Sequence, residues 1–85
     1  MKNDWLITFR SITFAQKGEG KLRQAGIFCD LHRTPRLLSE RGCGYCLRIH
    51  GKDAVAAVTL LRERQILFGK VYAVDGNGHP EERQL

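Results

Sequence analysis

Three cysteines supply the nucleophilic sulfur of this 85-residue chain, and one of them sits where a thiol could react. Cys43 lies between Gly42 and Gly44 and follows Arg36 and Arg41. A thiol attacks as its thiolate, which nearby cations and unpaired backbone N–H groups favour. Glycines on both sides let the backbone turn those N–H groups toward an anion. The stretch from Thr34 to Cys46 therefore reads as a place for a reactive sulfur, or for an anion beside one.

The other two cysteines read differently. Cys43 and Cys46 have C-x-x-C spacing, but a redox pair of that kind needs a helix N-terminus to lower one pKa. Here the motif runs into an extended segment, Tyr45 to His50, where residues three apart face opposite ways. Cys46 then shares a sheet face with Arg48 and His50, while Cys29 packs as a small core hydrophobe. Asp30, His32, Cys46 and His50 are ligand types that suit zinc, but they lack paired short-range spacings. The expectation is a polar sheet face with no metal and no cofactor. An odd number of cysteines also argues against a disulfide framework.

Net charge is +5, and its distribution is uneven. Between residues 33 and 52, Arg33, Arg36, Arg41, Arg48 and Lys52 face Glu40 alone. A local positive field attracts anions, nucleic acid included. No apolar run approaches a membrane span, and the opening residues lack the pattern of a signal peptide. The chain is thus expected in the cytoplasm, away from membranes. No carboxylate pair, Ser/His/Asp order or phosphate-binding glycine loop is present, so a self-contained enzyme is not expected.

These residues need a scaffold, and the hydrophobic pattern predicts one. Trp5 to Phe9 reads as a strand, aromatic and β-branched. Ser11 caps a helix to about Ala25, with Ala15, Gly18, Leu22 and Ala25 as its buried stripe. Gly26 ends it in the C′ position. Ile27–His32 and Tyr45–His50 read as strands joined by the Arg-rich loop. A second helix runs from Lys52-Asp53 to about Arg64, with Val55, Val58 and Leu61 or Leu60 inward. A last strand spans Phe68 to Val74, before a polar, flexible tail over residues 75–85. The expectation is one α+β domain over residues 1–74, a ferredoxin-like βαββαβ sandwich with a four-stranded antiparallel sheet and two helices on one face.

The run Thr34-Pro35-Arg36, Ser39, Cys43-Gly44 and Leu47-Arg48 resembles a family of small bacterial domains described as selenium/sulfur carrier-like. Leu6-Ile7-Thr8-Phe9 and Ala25-Gly26-Ile27 extend the resemblance to about Val74. The resemblance implies a carrier that holds sulfane sulfur or selenium on Cys43, exchanged with donor and acceptor proteins. Arg36 and Arg48 would stabilise the thiolate or a bound anion, with Ser39, Gly42 and Gly44 completing the loop. The alternative is a binding module that meets RNA or another anionic partner through the basic loop and open sheet face. Charge favours that alternative, while the missing aromatic platform argues against it. A sheet this small also leaves a strand edge through which two copies could pair.

Overall fold

The computed structural model describes residues 4–36 and 44–85. Within them the order is β1 (Asp4–Phe9), α1 (Ile12–Gln24), β2 (Cys29–Arg33), β3 (Tyr45–His50), α2 (Ala54–Glu63), β4 (Val71–Val74) and β5 (Pro80–Arg83). The strands form one sheet in the order β2-β3-β1-β4-β5, with every neighbouring pair antiparallel. A sheet of five strands replaces the expected four.

Alternation decides which face is covered. Ile7 and Phe9 of β1, Leu47 and Ile49 of β3, Cys29 of β2 and Val71 of β4 pack with Ala15 and Leu22 of α1 and with Ala57, Val58 and Leu61 of α2. Both helices therefore share one face of the sheet, and the core lies between the layers. Burying these apolar side chains is the main force holding so small a domain together.

Local chemistry sets the helix limits. The Ser11 side chain accepts from the backbone N–H groups of Thr13 at 3.0 Å and Phe14 at 3.4 Å, satisfying two donors that α1 leaves open. At the other end, Gly26 N–H donates to Arg23 O and Ile27 N–H to Leu22 O, with Gly26 at φ +80°. This double closure needs a left-handed residue, which glycine supplies without strain. It also holds Ile27 in the cap, so β2 starts at Cys29 and not at Ile27. α2 ends with the same pair of bonds, Gln65 N–H to Arg62 O and Ile66 N–H to Leu61 O, around Gln65 at φ 58°.

Gly18 sits on the buried stripe of α1 for a steric reason. A Cβ there would lie 3.2 Å from Phe9, 3.3 Å from Leu47 and 3.3 Å from Leu61. The helix thus approaches the sheet at a residue that has no side chain. Ala25, expected on this stripe, is exposed because it is already the cap residue. Val55, expected inward, is 64% exposed. A short 3₁₀ turn over Gly51–Asp53 starts α2 at Ala54, so its stripe is Ala54, Ala57, Val58 and Leu61.

The stretch read as a polar tail contains β5. Asp75 builds the turn before it, its Oδ1 accepting from Asn77 N at 2.8 Å and His79 N at 2.9 Å. Gly78 adopts φ +82° in that turn. Pro80 then opens an edge strand, where a missing N–H costs little. Lys70 reaches Glu82 at 3.5 Å alongside.

Candidate functional site

The face of the sheet that the helices leave uncovered carries the polar residues in register. Asp30 lies opposite Arg48, His32 opposite Cys46, Thr8 opposite Cys46, Leu6 opposite Arg48 and Asp4 opposite His50. This is the adjacency that strand alternation predicts. The face nevertheless divides into a closed zone and an open one.

Thr8, Cys46 and Thr34 form the closed zone, exposed by 1%, 1% and 8%. Thr8 is fully satisfied. Its hydroxyl accepts from Lys70 N at 2.8 Å and lies 3.3 Å from Lys70 O. Cys46 was expected on an open polar face and is instead buried, its sulfur 3.9 Å from the carbonyl of Arg33. Burial pushes the Cys46 thiol pKa up, only partly offset by the Thr34 hydroxyl and by Arg48. That hydroxyl approaches the sulfur, yet it has no hydrogen-bonding partner of proper geometry. We therefore regard it as a weak polar neighbour of the thiol and not as a bonded one.

Cys29 has the same character on the covered face. It is fully buried, its sulfur 3.8 Å from Glu19 O, and burial raises its pKa against the opposing pull of Arg23. Both described thiols therefore stay protonated where an unperturbed one would begin to ionise, and neither is a ready nucleophile.

The open zone holds charge. Arg48 Nη2 meets Asp30 Oδ2 at 3.3 Å, and His50 Nδ1 lies 3.8 Å from Asp4 Oδ1, an ion pair only when the imidazole is protonated. Phe28, 54% exposed, stacks on His50 with ring centroids 5.3 Å apart. The expectation of no aromatic platform rested on the third strand, where Tyr45 faces inward. Alternation along the expected Ile27–His32 strand put Phe28 on the same side as Asp30 and His32, and it is Phe28 that supplies the exposed ring. Beside this pair is a hollow of about 280 Å³, lined by Asp4, Leu6, Pro35, Arg48, Val74, Gly78 and Pro80. Asp4, Leu6 and Val74 were not picked out from sequence, although their register on β1 and β4 puts them beside Arg48.

Of the predicted site residues, Arg48 lies in this open zone and Arg36 is exposed just after Pro35. Thr34 N–H donates to Gly44 O at 3.0 Å, which closes the two ends of the basic segment on each other. Gly44 itself has neither a left-handed φ nor a crowded Cβ position, so its backbone carbonyl is what the structure uses. Cys43, Ser39 and Gly42 lie outside the described residues. Among the described residues no three His, Cys, Asp or Glu side chains gather as a metal would require. No described helix is long and apolar enough to cross a membrane.

No curated protein and no solved structure matches this chain. One family profile does, over residues 4–73, which runs from β1 through the basic segment into β4 and stops before β5. On that match the chain belongs to the family described as "Putative Se/S carrier protein-like".

Proposed function

We propose that this protein carries sulfane sulfur or selenium on Cys43 and exchanges it with separate donor and acceptor proteins, without being an enzyme itself. One observation supports this choice of residue above the others: Cys29 and Cys46 are both buried with raised thiol pKa values. That leaves Cys43, flanked by glycines and close in sequence to Arg36 and Arg41. In the loading step, the Cys43 thiolate attacks the outer sulfur of a donor persulfide. A new S–S bond forms, the donor's S–S bond breaks, and the donor thiolate leaves with the electron pair and takes up a proton. No net oxidation occurs, and the same exchange with a selenium-bearing donor gives an S–Se bond.

Arg36 and Arg48 stabilise the anionic sulfur by charge, while Ser39, Gly42 and Gly44 shape its loop. The order β2-β3-β1-β4, with both helices on one face, supports reading the scaffold as ferredoxin-like with one added strand. The cytoplasm is the compartment that fits a free thiol.

Alkylation of the folded protein, resolved by residue across pH, tests this reading. Cys43 should react with an apparent pKa below the free-thiol value of about 8.5, while Cys29 and Cys46 stay protected. After incubation with a persulfide donor, the mass should rise by one sulfur atom in the wild type and not in Cys43→Ala. If Cys43 alkylates as an unperturbed thiol and takes up no sulfur, the carrier reading fails. The exposed Phe28–His50 stack favours a second reading, an RNA-binding face. That reading requires affinity for single-stranded RNA that falls steeply with salt and with Phe28→Ala.

A further inference from the structure

We propose that the hollow beside Arg48 binds a free α-amino acid with an apolar side chain. The argument begins with its two charges. Asp4 and Arg48 both line it, yet each lies nearest a different polar side chain, Asp4 at 3.8 Å from His50 and Arg48 at 3.3 Å from Asp30. They do not close into an ion pair with each other. In the β1–β3 register, Asp4 faces His50 and Leu6 faces Arg48, so the two charges are diagonal neighbours on one face. Diagonal positions lie roughly 7–8 Å apart along the backbone, and both residues line the same hollow, so one small molecule seated there can meet both.

A ligand there meets a carboxylate and a guanidinium together. A simple anion is drawn to Arg48 and repelled by Asp4, and a simple amine suffers the reverse. A molecule with an ammonium and a carboxylate on one carbon satisfies both, and the guanidinium keeps donors to spare beyond the Asp30 contact. The other walls, Leu6, Pro35, Val74 and Pro80, offer an apolar surface for its side chain. The volume, about 280 Å³, falls just below the roughly 300–1,000 Å³ of pockets for drug-sized ligands.

The wall is also fixed in place. Gly78 belongs to the turn before β5 and Pro80 opens that strand, and the turn is tied by the Asp75 carboxylate to Asn77 and His79. That hairpin lies beyond residue 73, so this part of the hollow is outside the stretch matched to the family. The proposal stands whether or not Cys43 carries sulfur.

Amide NMR titration of the full chain tests it, with L-methionine, its methyl ester and N-acetyl-L-methionine as probes. L-methionine should bind saturably and shift residues around Leu6 and Val74. Each blocked probe should bind roughly tenfold more weakly, the loss expected for a charged contact left unmade. Asp4→Asn should no longer distinguish L-methionine from the N-acetyl form, and Arg48→Gln should no longer distinguish it from the ester. Val74→Phe keeps both charges and fills the space, so it should abolish binding even if another variant folds poorly. Cys43→Ala should bind as the wild type does. Equal binding of all three probes, or no saturable shift up to about 10 mM L-methionine, overturns the proposal.

Discussion

The two faces of the sheet are built from the same strands and hold together by different means. On the covered face, Phe9, Ile7, Leu47 and Ile49 are buried against helices and the contact is wholly apolar. On the other face, burial among the described residues is confined to Leu6, Thr8, Cys46 and Thr34, and the remainder is a charged surface around a hollow. The first face is where stability resides. The second can expose charge and leave space because the first has already fixed the strands. The fold is thus secured on one side of the sheet while charge is displayed on the other.

The largest test of that division is truncation on each side. Phe9→Ala should lower stability by about 3–5 kcal/mol, because a closed cavity is left in the core. Leu6→Ala should cost no more than about 2 kcal/mol, since its neighbour is a hollow that is already open. Equal losses in urea unfolding would erase the distinction between the faces.

The next comparison lies within α1. Gly18→Ala must push on Phe9, Leu47 and Leu61, and should cost about 1–3 kcal/mol despite a gain in helix propensity. Gly20 has nothing within 4 Å of its missing Cβ, so Gly20→Ala should stabilise by about 0.5–1 kcal/mol. Thermal melts of the two variants should therefore move in opposite directions.

The smallest effect concerns pH. Cys29 and Cys46, one on each face, have thiol pKa values raised above the ordinary 9.0. The folded protein keeps those protons where the unfolded chain releases them. The stability from this source is complete below pH 9.0 and falls as pH climbs through the raised values. Melting temperature should drop as pH rises above the ordinary thiol value of 9.0, and less steeply in Cys29→Ala and Cys46→Ala. A slope unchanged by Cys46→Ala would mean that the closed zone on the open face is not closed in solution.

Much of this was legible in the sequence where a strict period spoke for it. β3 begins and ends where alternation sets it, and the sorting of Tyr45, Leu47 and Ile49 from Cys46, Arg48 and His50 follows from the pleat. Gly18 stood out because a glycine on a buried stripe needs a reason. The phase of α2 was harder, since the small residues Ala54 and Ala57 mark its buried side while the larger Val55 points outward. β5 was missed because Glu81, Glu82 and Arg83 carry no apolar pattern. The signal was in its turn instead, in Asp75-Gly76-Asn77-Gly78, a sequence suited to hairpins. Burial of Cys46 was not legible at all, since it depends on neighbours from outside its own strand, the Arg33 carbonyl and the Thr34 hydroxyl among them.

β5 has a further consequence, for how copies of this chain could associate. It caps one end of the sheet with Pro80, which offers no N–H, and with three charged residues that resist pairing. Among the described residues the opposite end is β2. Any strand pairing between copies would have that edge alone to use, so it would end at two molecules and could not grow into a fibre.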